Sequence, residues 1–182
     1  MGLAFTVRPS GVDETPRPGE APAALVERLA REKAAAARPG PGELAIAADT
    51  EVVVDGEVLG KPRDDADAAR MLRLLAGREH EVVTGVAWLD GGAQAFASGV
   101  ERTTVRFAPM SEQEIEWYAA SDEPLDKAGG YAIQGRGALF VEGVEGNYAN
   151  VVGLPVPLAM RLLRELGHDL LDWLGHGASA TW

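Results

Sequence analysis

The 182-residue chain is 46% apolar and 25% charged, which fits one globular domain spanning residues 1–182 with enough length to bury a sizeable core. Its net charge of −11 argues against nucleic acid or an anionic membrane as a partner, since a polyanion would be repelled. The absence of cysteine excludes disulfides, thiolate catalysis and cysteine-held zinc, and suits a reducing cytoplasm.

Residues 3–7 read as a short strand, and residues 9–22, rich in proline, glycine and acids, as a loop. No basic segment followed by a long apolar run opens the chain, so no signal peptide is expected. Residues 23–37 form a strong helix, stopped by Pro39-Gly40-Pro41-Gly42. An apolar strand over residues 44–48 ends at Asp49-Thr50. Residues 52–54 and 58–59 flank Asp55-Gly56, a hairpin signal. Residues 64–76 form a helix with an acidic first turn and Gly77 beyond its end.

Residues 81–89 and 95–107 read as two long strands around Asp90-Gly91-Gly92. Ser111 and Glu114 form a capping box that opens a helix to about residue 120. Short strands are expected at residues 131–134, 138–141 and 148–152, then a last helix over residues 155–166. The tail from residue 175 reads as frayed. Strands, hairpins and helices in this mixture predict an α/β domain on a mixed sheet with flanking helices.

Several residues carry possible chemistry. Asp49, at the end of an apolar strand, could take a proton from water or hold a divalent metal, or could merely cap a turn. Lys33 shares a helix face with Val26 and Leu29, so it either meets an anionic partner or snorkels to solvent. Glu14 sits in the Pro-rich loop, and Lys61 precedes Pro62, which could hold it rigidly. Residues 121–155 are dense in glycine. They include Lys127 and Gln134, whose amide offers both a donor and an acceptor, as base recognition requires.

In order along the chain stand Ala48-Asp49-Thr50, Leu59-Gly60-Lys61-Pro62 and Leu74-Leu75-Ala76-Gly77. They are followed by Ser121-Asp122-Glu123-Pro124-Leu125-Asp126-Lys127-Ala128-Gly129, Ile133-Gln134-Gly135-Arg136-Gly137 and Val152-Gly153-Leu154-Pro155. Together these motifs resemble the Maf family of nucleoside triphosphate pyrophosphatases over almost the whole chain. The resemblance implies a fold similar to inosine-triphosphate pyrophosphatase: an elongated mixed sheet with a cleft between two lobes. It implies cleavage between the α and β phosphates, a divalent cation (Mg or Mn), a cytoplasmic setting and a homodimer.

Carried over by position, Asp49 is the catalytic carboxylate, and Glu14 and Asp49 hold the metal. Lys33 and Lys61 line the phosphate site, with Lys127 as a further candidate. Thr50 and Gln134 match members preferring dTTP and UTP. Family members open with a strand, Ala-Ser-x-Ser-Pro-Arg-Arg and a helix start, whereas this sequence matches from just after that first helix. The expectation is an uncovered sheet edge and a phosphate site weaker by about 2–4 kcal/mol. A catalytically weak, nucleotide-binding protein with a regulatory role in septum formation is the alternative.

Overall fold

The structure, a computed structural model, describes residues 5–172. Helix α1 (Pro22–Ala36) starts with proline at its first position, where the missing N–H costs nothing. Its buried stripe is Leu25, Val26, Leu29, Ala30 and Ala34. It ends where Arg38 adopts a left-handed backbone before the Pro-Gly run.

Strand β1 (Leu44–Val54) runs into the Asp55-Gly56 hairpin and returns as β2 (Glu57–Val58). Helix α2 (Asp65–Leu75) is capped by Asp64, whose side chain accepts from the Asp67 N–H at 2.8 Å. Strands β3 (Glu79–Asp90) and β4 (Ala95–Phe107) form the long hairpin expected, with Asp90 closing its turn through the N–H groups of Gly92 and Ala93. Helix α3 (Glu112–Ala119) has the full Ser111/Glu114 capping box. Strand β5 (Val141–Glu145), helix α4 (Tyr148–Val152) and helix α5 (Val156–Glu165) follow.

The sheet order is β2-β1-β3-β4-β5. The α/β class with flanking helices stands, but all pairings among the described residues are antiparallel rather than mixed. Alternation along β1 divides the core. Ala45 and Val53 face α1, together with Val83 and Ala87 of β3. Val52 and Val54 face the larger cluster with Leu72 and Leu75 of α2 and Tyr118 of α3, while Ala48 packs towards Leu158 of α5. Each such large apolar side chain contributes about 1.5–3 kcal/mol by leaving water.

Five further expectations need correction. Residues 5–7 are not in a strand; Phe5 and Val7 lie 82% and 75% exposed with no apolar surface to cover them. Leu3 and the tail from residue 175 lie outside the described residues. The strand expected at residues 131–134 is a turn, and residues 136–140 form a 3-10 segment before β5. Residues 148–152 are helical, because Asn147 caps the Ala149 N–H at 2.9 Å and Gly153 ends the turn with φ of 115°. Finally, Asp49 lies in the middle of β1 rather than at its end.

Candidate active site

The register sets Asp49 opposite Gly85, Thr50 opposite Thr84 and Glu51 opposite Val83. Gly85 is required there, since a Cβ would stand 2.2 Å from the Val26 carbonyl oxygen. This close approach seats α1 directly on β3 beside β1. Lys33, in the last turn of α1, then reaches Asp49. Its Nζ donates to Asp49 Oδ1 at 2.5 Å and lies 2.7 Å from Glu14 Oε1. The inward reading of Lys33 is therefore the one realised.

Upstream of the β2 hairpin, β1 has no partner strand on its outer edge among the described residues. Along that edge runs a cavity of about 400 Å³. Asp49 and Glu51 enter it from the α1 face and Thr50 from the other, as a period of two requires. Lys61 and Lys127 reach it from the two loops opposite, and Glu14 from the loop before α1. Six of the seven residues singled out from sequence thus share one cavity.

The loop bearing Lys127 packs tightly. Gly129 has φ of 70°, and a Cβ there would press within 2.8 Å of the Val52 side chain. Its N–H donates to the Gly60 carbonyl at 2.7 Å, linking the loop to the segment before Lys61. Gly129 thus serves backbone packing onto β1. Lys127 itself pairs with Asp126 at 2.6 Å on the surface.

Electrostatically the cavity is a compact mixture of both signs. Burial works against the charge on Lys33, but its hydrogen bonds to Asp49 and Glu14, with their charges, outweigh it and raise its pKa. The Lys33 ammonium lowers the Glu14 pKa against the opposing effect of burial. Glu51 is pushed up to about 7 by burial and then by the neighbouring Asp49 and Glu14 charges, against a hydrogen bond from the Gly60 N–H. Two carboxylate oxygens, Asp49 Oδ2 and Glu51 Oε2, are buried without a hydrogen-bond partner.

Glu51 was missed from sequence. A strand read as ending at residue 48 hides the fact that position 51 shares a face with position 49. Asn150 was missed as well. Fully buried, it donates to the Val82 carbonyl and to Thr103 Oγ1, and so pins α4 to the sheet. Its backbone carbonyl accepts from Thr84 Oγ1, which meets Thr50 Oγ1 at 2.9 Å.

The profile of the family described as Maf-like protein matches residues 1–166. A dTTP/UTP pyrophosphatase of Anaeromyxobacter sp. (strain Fw109-5) is 53% identical over 183 residues, covering 99% of this chain and 87% of its own length. Proteins of the same name from Symbiobacterium thermophilum and Myxococcus xanthus are 48% and 50% identical over 171 residues. Each covers 93% of this chain, and 87% and 86% respectively of its own length.

The chain belongs to the Maf family.

In this Maf chain Gln134 stands apart from the other six residues. It lines a second, open cavity of about 500 Å³ with Tyr148, Leu154 and Val156. Val152 and Gly153 border both cavities, and a Cβ on Gly153 would lie 3.6 Å from Thr50 Oγ1. Thr50 and Gln134 therefore flank the wall that the two cavities share. The site is thus a polar, charged chamber continued by an apolar shelf with one amide at its rim. Among the described residues no helix is long and apolar enough to cross a membrane.

Proposed function

We propose that this chain hydrolyses dTTP, UTP or related nucleoside triphosphates between the α and β phosphates, releasing the nucleoside monophosphate and pyrophosphate. The observation that carries this reading is the unpartnered Asp49 Oδ2, buried in a cavity with Lys33 and Lys61. The names of relatives about half identical to this chain support the same reaction and substrates.

The residues fit a divalent cation. One ammonium already spans Asp49 and Glu14, so the two carboxylates stand near enough to share a metal. Their oxygens are hard donors suited to Mg or Mn. Among the described residues no three or more His, Asp or Glu side chains are arranged to hold a metal by themselves. A magnesium ion commonly takes one or two carboxylates and completes its shell with water and substrate phosphates. When bound, the cation would offset phosphate charge as the anhydride breaks.

The chain's own groups carry the remaining steps. Lys33 and Lys61, with a minor share from Lys127, draw the triphosphate into an acidic protein. The Asp49 carboxylate accepts a proton from water as the water oxygen bonds to phosphorus at the α–β bridge. The bridging P–O bond then breaks and pyrophosphate leaves with its electron pair, its charge met by the lysine ammoniums. The base extends over the shared wall towards Gln134, whose amide can pair with the donor and acceptor edge of uracil or thymine.

The decisive experiment is pyrophosphate release from dTTP and UTP with Mg or Mn. Asp49→Asn should abolish it while circular dichroism and melting stay close to wild type. Undiminished turnover in that variant would remove Asp49 from the chemistry. The same reading carries a cytoplasmic homodimer, which sedimentation at working concentration checks. The net charge of −11 supports the absence of a nucleic-acid partner.

A further inference from the structure

Gln134 is exposed in the turn that leads into the 3-10 segment over residues 136–140. Its position is fixed from beneath by two side chains outside both cavities. Tyr118, fully buried on α3, accepts the Ala132 N–H at 3.0 Å and donates to Glu123 Oε1 at 2.7 Å. Glu123 accepts the Gly137 N–H on Oε1 and the Arg136 N–H on Oε2, each at 3.0 Å. The turn closes on itself through the Gly135 N–H to the Ala132 carbonyl at 3.1 Å.

The two glycines make this contact possible. A Cβ at position 135 would lie 2.2 Å from Glu123 Oε2, and one at 137 would lie 2.8 Å from the Tyr118 hydroxyl. The backbone on both sides of Gln134 is thus pressed against the carboxylate and the phenol.

We propose that Glu123 and Tyr118 are positioning residues for base selection, acting through Gln134 by locking residues 132–137. A turn already held in its binding geometry loses less entropy when the nucleotide docks, and a fixed amide can discriminate between uracil and cytosine, whose edges exchange donor and acceptor at two adjacent positions. Glu123 meets neither cavity, so it acts on selection and not on phosphate chemistry. This inference rests on the base-reading role of Gln134.

The test is the ratio of kcat/KM for UTP over CTP, two nucleotides with the same triphosphate and different base edges. Glu123→Gln replaces an acceptor oxygen by a donor where two backbone N–H groups converge. It should lower the ratio about tenfold, through a higher KM for UTP, with kcat for CTP unchanged. Gln134→Ala should lower the ratio similarly, and the double variant should fall no further than Gln134→Ala alone.

Equal losses for UTP and CTP in Glu123→Gln, or losses that add in the double variant, overturn the inference while leaving Gln134 in its role. A ratio unmoved in Gln134→Ala removes that role and the inference with it. If Glu123→Gln does not fold, Tyr118→Phe applies the same test. It frees the Ala132 end of the turn and keeps both Glu123 bonds to backbone, and an unchanged ratio there overturns the proposal.

Discussion

Replacing Glu51 with glutamine should turn a nearly flat profile of stability against pH into a sloping one. Two buried groups act in opposite directions between about pH 8 and about pH 5. His80 lies beneath the sheet against Phe107 and Tyr131, with Nε2 at 2.8 Å from the Tyr131 hydroxyl and Nδ1 unpartnered. Burial lowers its pKa from 6.5 to about 4. The unfolded chain therefore takes up that proton first as the pH falls. Stability present above about pH 6.5 is lost, by about 2 kcal/mol at pH 5.

Glu51 has the reverse sign. Its folded pKa of about 7 exceeds the ordinary 4.5, so the folded state takes the proton first and gains about 2–3 kcal/mol over the same interval. The two changes cancel to within about 1 kcal/mol. Carboxylates with lowered pKa values, such as Glu20 at about 2, give up stability mainly below this window. Urea denaturation at the two pH values should show little change for wild type. Glu51→Gln should lose about 2 kcal/mol on acidification, and His80→Phe should gain about as much. A Glu51→Gln profile as flat as wild type would refute the claim that this carboxyl is protonated in the folded cleft.

Lys33→Met removes the ammonium that Asp49 and Glu14 share and leaves the buried Asp49 without its direct ion-pair partner. It should cost about 2–3 kcal/mol in urea titration, and millimolar Mn should restore part of that. Lys61→Ala should lower kcat/KM for UTP about 100-fold, against threefold or less, roughly, for Lys127→Ala, whose charge Asp126 already meets in solvent; steady-state kinetics with both variants decides. Gly85→Ala sets a methyl against the Val26 backbone, so it should cost at least about 3 kcal/mol and lift α1 from the sheet, read as a lowered melting point. Chelation with EDTA should stop pyrophosphate release, and added Mg or Mn should restore it.

The long periodic elements were legible because one signal dominated each. Helix α1 has its apolar stripe and flanking prolines, α3 its capping box, and β3 and β4 their alternation about a tight turn. Asp49, Thr50 and Glu51 interrupt the apolar run of β1, so the sequence reads as a strand that stops at residue 48 where the structure continues to Val54. In residues 148–152, tyrosine and valines carry strand propensity, yet Asn147 and Gly153 cap a helical turn and the buried Asn150 decides in its favour. The shared cavity could be anticipated only through the ordered motifs, because it is assembled from segments far apart in the chain. The clamp on residues 132–137 had no sequence signal, since a glutamate binding backbone N–H groups resembles any surface acid.

Adjacent positions on β1 look in opposite directions, and this divides labour between neighbours. On the proposed roles, a change at Thr50 would retune which nucleotide is accepted without disturbing Asp49, one residue earlier on the opposite face. On that reading, base preference is separable from hydrolysis at this strand. The same geometry makes the pairing with β3 unforgiving: sliding the strand by a single step would swap the two roles and disable both.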